Sequence, residues 1–204
     1  MSETEVTQND NLSTSKSIEL SAGLSRTTIT DSYDEDIDAN GITLSVGESF
    51  PLGSNISTTS SLIGNYAILD SDAFESETLD ASIYDIGLSQ RLSYSFNNSG
   101  FIIKPFVEVG ASVGSLSYDI TDGSDEAEVK FNYTSLKAAL GIQLELSTGL
   151  TPFVKLETAS LNLAYRAEVS STIDGVSLST SIEIDNDETE LTNTALTVGV
   201  GYYF

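Results

Sequence analysis

From residue 17 onward the chain alternates, with a period of two, between bulky apolar side chains and small or polar ones. That period is the signature of extended strands with two different faces. In 82–96 one parity reads Tyr84, Ile86, Leu88, Gln90, Leu92, Tyr94, Phe96, and the other Ile83, Asp85, Gly87, Ser89, Arg91, Ser93, Ser95. The same contrast separates Leu136, Ala138, Leu140, Ile142, Leu144, Leu146 from Ser135, Lys137, Gly141, Gln143, Glu145. It recurs at the end of the chain, where Leu196, Val198, Val200, Tyr202 and Phe204 oppose Asn193, Thr197, Gly199 and Gly201. Eight strands follow: 17–28, 41–52, 56–68, 82–96, 101–118, 129–146, 151–166 and 190–204.

Their connections alternate in length. Gly53-Ser54, Asn97-Asn98-Ser99-Gly100 and Ser147-Thr148-Gly149 are tight turns, whereas 29–40, 69–81, 119–128 and 167–189 are long and polar. Short turns at one end, long loops at the other and an even strand number describe an eight-stranded antiparallel up-and-down transmembrane β-barrel, all-β in class. A soluble barrel with the same connections would turn its bulky face inward. The polar parity, however, carries Gly87, Gly110, Gly114, Gly141 and Gly199, small enough for the crowded interior of eight strands. The bulky parity ends in Tyr or Phe, as a lipid-facing band with aromatic girdles does. Residues 1–16 are polar and aperiodic and read as a leader ahead of the barrel at 17–204; they show no basic and apolar secretion signal.

The last residues, Thr197-Val198-Gly199-Val200-Gly201-Tyr202-Tyr203-Phe204, resemble the C-terminal β-signal of bacterial outer-membrane proteins, with Thr197, Gly199, Tyr202 and Phe204 in its defining positions. Residues 17–204 are similar to the small barrels of the OmpA, OmpX and opacity-protein type, whose strands often restart with Pro and an aromatic, as in Lys104-Pro105-Phe106 and Thr151-Pro152-Phe153. The resemblance implies a bacterial outer-membrane location with periplasmic termini, contact with outer-membrane lipid and lipopolysaccharide, and insertion by the barrel-assembly machinery. A separate peptidoglycan-binding domain, carried by some relatives, is not expected in this chain.

Charge sharpens the picture. The chain has 31 acids against 8 bases, a net charge of −23 that repels nucleic-acid phosphates and argues against such a partner. Twenty-two of the acids fall in the four long segments, counting Glu190 at the edge of the last. They are expected to keep the surface solvated or to meet an extracellular partner of unknown identity. Asp34-Glu35-Asp36-Ile37-Asp38-Ala39-Asn40-Gly41 superficially resembles a calcium loop, but Ala39 stands where the required Gly should be and Ser45 where the closing Glu should be. Weak, exchangeable loop calcium is the most it supports; no cofactor or metal centre is expected.

On the small face lie Arg91, Lys104, Lys137 and Lys155, placed toward the tight turns, together with Asp85, Glu108, Glu145, Glu157 and Glu19. Arg or Lys facing lipid near the midplane costs about 2–4 kcal/mol, so these residues belong in the lumen, where opposite charges should pair and plug it. A narrow channel for ions or small solutes is the alternative. Arg26, Lys130 and Arg166 sit at the far strand ends, suited to lipopolysaccharide phosphates. With neither His nor Cys, no Ser-His, Asp-His or thiolate site can be assembled, and only a Ser-Lys pair around Lys137 is conceivable; no enzymatic activity is expected. Two features break the pattern: Glu48 shares parity with the apolar Leu44, Val46 and Phe50, and the apolar parity switches around Thr158-Ala159-Ser160. Bulges near Gly47 and at 158–160 would account for both.

Overall fold

The computed structural model describes residues 17–30, 36–70, 79–98, 100–122, 125–173, 176–183 and 190–204. The strands are β1 (Ser17–Thr30), β2 (Asp36–Pro51), β3 (Ile56–Leu69), β4 (Leu79–Tyr94), β5 (Phe96–Asn98), β6 (Phe101–Asp122), β7 (Asp125–Leu146), β8 (Leu150–Ile173), β9 (Val176–Glu183) and β10 (Glu190–Tyr203). Eight of them close a barrel in chain order, each antiparallel to its neighbour, with β10 pairing both β8 and β1. Closure leaves no open edge within the barrel wall. The short β5 continues the β4 side of the hairpin against β6, and β9 folds back on the protruding end of β8.

Bulky side chains face out. Leu24, Leu88, Leu136, Leu140, Val109 and Val198 are all exposed, Leu24 by 71%. In β10 the outward band runs from Leu196 to Phe204, close to the 9–11 residues or so that carry a tilted strand across a bilayer. Aromatic pairs mark the turn end, Tyr94–Phe96 and Tyr202–Phe204 at 4.8 and 4.9 Å between centroids, while Tyr66 and Tyr84 lie paired toward the other end. Water could not solvate such a surface cheaply, whereas hydrocarbon can. No helix of the described residues is long and apolar enough to cross a membrane; the strands do it.

Two turns use left-handed glycines, Gly100 at φ 99° and Gly149 at φ 83°. The wall also needs glycine for closeness. A Cβ on Gly141 would stand 2.2 Å from the Phe106 ring and 2.7 Å from the Val154 carbonyl oxygen, and one on Gly199 would stand 2.5 Å from the Phe153 ring. The two Pro-aromatic strand starts thus send their rings inward onto glycine seats. Gly141→Ala is expected to cost about 1–3 kcal/mol through overpacking, read as a lower unfolding midpoint in urea.

The long polar segments differ from the expectation. β1 continues to Thr30 and β2 begins at Asp36, β6 and β7 pair as far as Asp122–Asp125, and β8 with β9 takes up most of 167–189. Thr, Val and Ile in these stretches are good strand residues, and hydroxyls tie neighbouring strands: Thr28 and Thr30 donate to Asp38 and Asp36 at 2.8 and 2.6 Å. These segments therefore read as β-hairpins rising beyond the apolar band. The calcium-like segment dissolves into β2 from Asp36 to Gly41. Residues 1–16 lie outside the described residues.

Neither expected bulge is present. Pairing runs in register through Gly47 and Glu48, and Glu48 stays outward, one outward position from Phe50. Pairing is equally regular at Thr158, Ala159 and Ser160; the shift comes instead between Phe131 and Tyr133, opposite Leu163 and Ala167. The parity switch in β8 has another origin. Ala159 and Leu161 face a lumen that is itself apolar at that level.

Candidate functional site

The lumen is layered. At the turn end Arg91, from β4, lies between two carboxylates: its Nη1 meets Glu19 Oε1 and Oε2 at 3.1 and 3.2 Å, and its Nε meets Glu108 Oε2 at 3.0 Å. The guanidinium plane also covers the Phe106 ring at 4.6 Å. Lys155 Nζ bridges Glu108 Oε1 at 3.3 Å and Glu157 Oε2 at 2.8 Å. Gln143 donates to Glu19 at 2.8 Å and accepts from the Tyr203 hydroxyl at 3.3 Å. Lys104 pairs with Glu145 and caps the Tyr203 ring at 4.9 Å. Register explains the cross-lumen contacts. Arg91 is opposite Glu108 on the adjacent strand, while Glu19 reaches it from β1 across the bore.

Midway along the bore, Lys137 Nζ holds both Asp85 oxygens at 2.9 and 2.8 Å, so this lysine is not confined to the turn end. Asn65 and the Tyr133 hydroxyl donate to the same carboxylate at 2.7 and 3.2 Å, and Thr43 donates to Asn65 at 2.8 Å. Buried carboxylates and ammonium groups are tolerable only with such multiple partners.

Above this level the bore becomes hydrophobic. Ile29, Ala39, Leu69, Ile83, Leu116 and Leu161 form a buried cluster, with Tyr118 and Phe131 packed edge to face at 5.9 Å beside it. Alternation assigns this whole face to small and polar side chains, and here the structure departs from it. Ile83, Leu116 and Leu161 share the parity of Asp85, Gly114 and Glu157, and that local clustering at one end of successive strands is the signal that would have revealed the layer. Gln143, Asn65, Tyr133 and Tyr203 are also network members the sequence did not single out as such.

The residues expected at the far rim separate. Arg26 faces outward just above Leu24 and pairs with Asp38 at 2.9 Å, which holds that carboxyl below its usual range. Lys130 Nζ lies 5.5 Å from the centroid of Tyr84 at the band edge. The side chain of Arg166 lies outside the described residues. In the C-terminal motif Thr197 is buried in the bore, Gly199 receives the Phe153 ring, and Tyr202 and Phe204 face outward.

Beyond the band, Asp80, Asp119 and Glu128 stand directly opposite one another on β4, β6 and β7. Burial, then Glu128 and Asp80, raise the Asp119 carboxyl above its ordinary value. A carboxyl raised on folding opposes the fold while ionised and stops doing so once protonated. The hairpins should therefore gain stability as pH falls through the Asp119 titration. Asp119→Asn should reproduce that gain at neutral pH, by a few tenths of a kcal/mol, and flatten the acidic limb of a melting-temperature profile.

The family model for the outer membrane protein beta-barrel domain matches residues 13–204. Among curated proteins none matches the chain in sequence. Its fold is similar to Ail, the attachment invasion locus protein of Yersinia pestis, solved with the heparin analogue sucrose octasulfate (13% identity, 93% of this chain and 99% of that one, TM-score 0.56). It is likewise similar to a major outer membrane protein of Thermus thermophilus (12% identity, 93% and 100%, TM-score 0.58) and to Neisserial surface protein A (13% identity, 92% and 97%, TM-score 0.52). At such identities the likeness carries the fold alone. With lipid-facing apolar residues on a closed eight-stranded wall, and a family match over nearly its whole length, the chain belongs to the outer-membrane β-barrel proteins.

Proposed function

We propose that this barrel is a sealed, non-enzymatic outer-membrane protein that stabilises the membrane surface or mediates contact through its acidic hairpins. Its turns would face the periplasm and its hairpins the outside. One observation carries the reading: the bore is filled twice, by an ion-paired polar layer and by an apolar layer above it. Either fill alone leaves little room in eight strands. Together they oppose a conducting path, because a polar column that begins at Arg91 ends beneath Leu116 and Leu161. Lys137, the one base considered for a Ser-Lys pair, is bonded to both Asp85 oxygens at 2.9 and 2.8 Å and so is engaged by a carboxylate.

Planar-bilayer recording of purified, refolded protein tests this. Silence is the expected result, and discrete, reproducible openings would establish the narrow channel instead. At the rim, Lys130 and Arg26 would meet lipopolysaccharide phosphates at the band edge, and the C-terminal strand would be the part recognised during assembly. The solved complex of Ail contains a sulfated sugar; here the hairpins carry Asp80, Asp119 and Glu128 side by side, which favours a cationic or uncharged contact over a polyanion. Hairpin deletions that leave cell-surface contact unchanged would remove the contact role and leave the structural one.

A further inference from the structure

Between the two ionic levels of the bore lies a cavity of about 10 Å³, lined on the lumenal side by Ser89, Glu108, Ser112, Lys137 and Glu157. That is room for about one water-sized particle. Ser89 is 8% exposed, and its buried hydroxyl oxygen has no hydrogen-bond partner. A buried hydroxyl in this position is normally satisfied by something.

Charge indicates what. Lys104 and Glu145 pair one to one, as do Lys137 and Asp85. The remaining chain, Glu19–Arg91–Glu108–Lys155–Glu157, sets three carboxylates against two cations. Glu157 is its terminus, held among the described residues by Lys155 alone, and it opens onto the cavity. A surplus negative charge enclosed in a low-dielectric bore is costly without a counter-ion. The apolar layer closes the hairpin side, so bulk water cannot screen it there.

We propose that this cavity holds one monovalent cation of sodium's size, bound by Ser89 Oγ and by carboxylate oxygens of Glu108 and Glu157. One positive charge balances the bore. A divalent ion would overcharge it, and such ions require more oxygen ligands than two carboxylates already shared with Lys155 can provide. An anion is excluded by the sign. Lys137 does not compete for the surplus, since Asp85 holds it with both oxygens. The inference rests on the enclosed bore and is independent of any contact role of the hairpins.

Thermal unfolding of the refolded barrel in detergent, followed by circular dichroism at equal ionic strength, tests it. The midpoint in sodium chloride is expected to exceed that in N-methylglucammonium or caesium chloride by about 3–10 °C, the shift given by ligand at roughly 10–100 times its dissociation constant. Glu157→Gln should abolish the difference while melting in N-methylglucammonium at least as high as the wild type does. Ser89→Ala, which leaves the charges in place, should reduce the sodium preference. Equal midpoints of the wild type in all three salts would overturn the site, leaving water there. A sodium preference that survives both substitutions would also overturn it, by placing the ion on the acidic hairpins.

Discussion

Arg91→Met is expected to destabilise the barrel by about 3–5 kcal/mol, the largest loss from any single substitution in the bore. The arginine is buried between Glu19 and Glu108 and stacked on Phe106. Methionine restores part of the volume and none of the charge, so two carboxylates lose their shared cation in a medium that cannot hydrate them well. Breaking a buried pair from one side carries a penalty of this size because the partner stays behind. Urea unfolding in lipid vesicles measures it. The double substitution Arg91→Met with Glu19→Gln should recover part of the loss, since it removes one of the stranded charges. A loss below about 1 kcal/mol for the single variant would show the network to be solvated and interchangeable.

The second large effect is expected at the opposite end of the bore. Leu161 is 2% exposed and fills the apolar layer beside Ala159 and Leu116. Leu161→Ala should cost about 2–5 kcal/mol, the sum of lost burial and an unfilled cavity. The same substitution on the outer wall, Leu136→Ala, is the internal comparison: that side chain is 69% exposed and gives up only contact with mobile lipid chains. If the two variants unfold alike, the layer is not a packed core. If Leu161→Ala also conducts in a planar bilayer while the wild type is silent, the apolar layer is the seal.

These two levels differ in how visible they are along the chain. Arg91, Glu108, Lys137 and Lys155 can be assigned to one face because period two is geometric and a charge on the other face would stand in hydrocarbon. Which carboxylate meets which base cannot be read this way. Glu19 and Arg91 lie on β1 and β4, with two strands between them, and they meet only because strand tilt and closure fix their heights across the bore. Leu161 illustrates the opposite failure. Its parity reads as an error of alternation to be repaired by a bulge only when the lumen is taken to be uniformly polar.

The polar segments between strands show a related limit. Asp, Ser and Thr in 119–128 mark a loop by composition, yet Asp119 to Asp122 and Asp125 to Glu128 pair as strands. Once the band strands are aligned, register is set and the cost of bringing the two strands together is already met, so further backbone hydrogen bonds lengthen the hairpins beyond what local composition suggests.

The amino-acid order alone determined the strand period, the even count, the outward turn of Leu, Ile and Val, and the aromatic ends, since each follows from covalent geometry and the hydrophobicity of single residues. Tertiary structure alone decided the division of the bore into ionic and apolar levels, the partners of Arg91, and the cavity at Ser89. Those depend on the height at which eight strands bring their inward side chains together, a quantity set by the tilt and stagger of the closed sheet and carried by no strand individually.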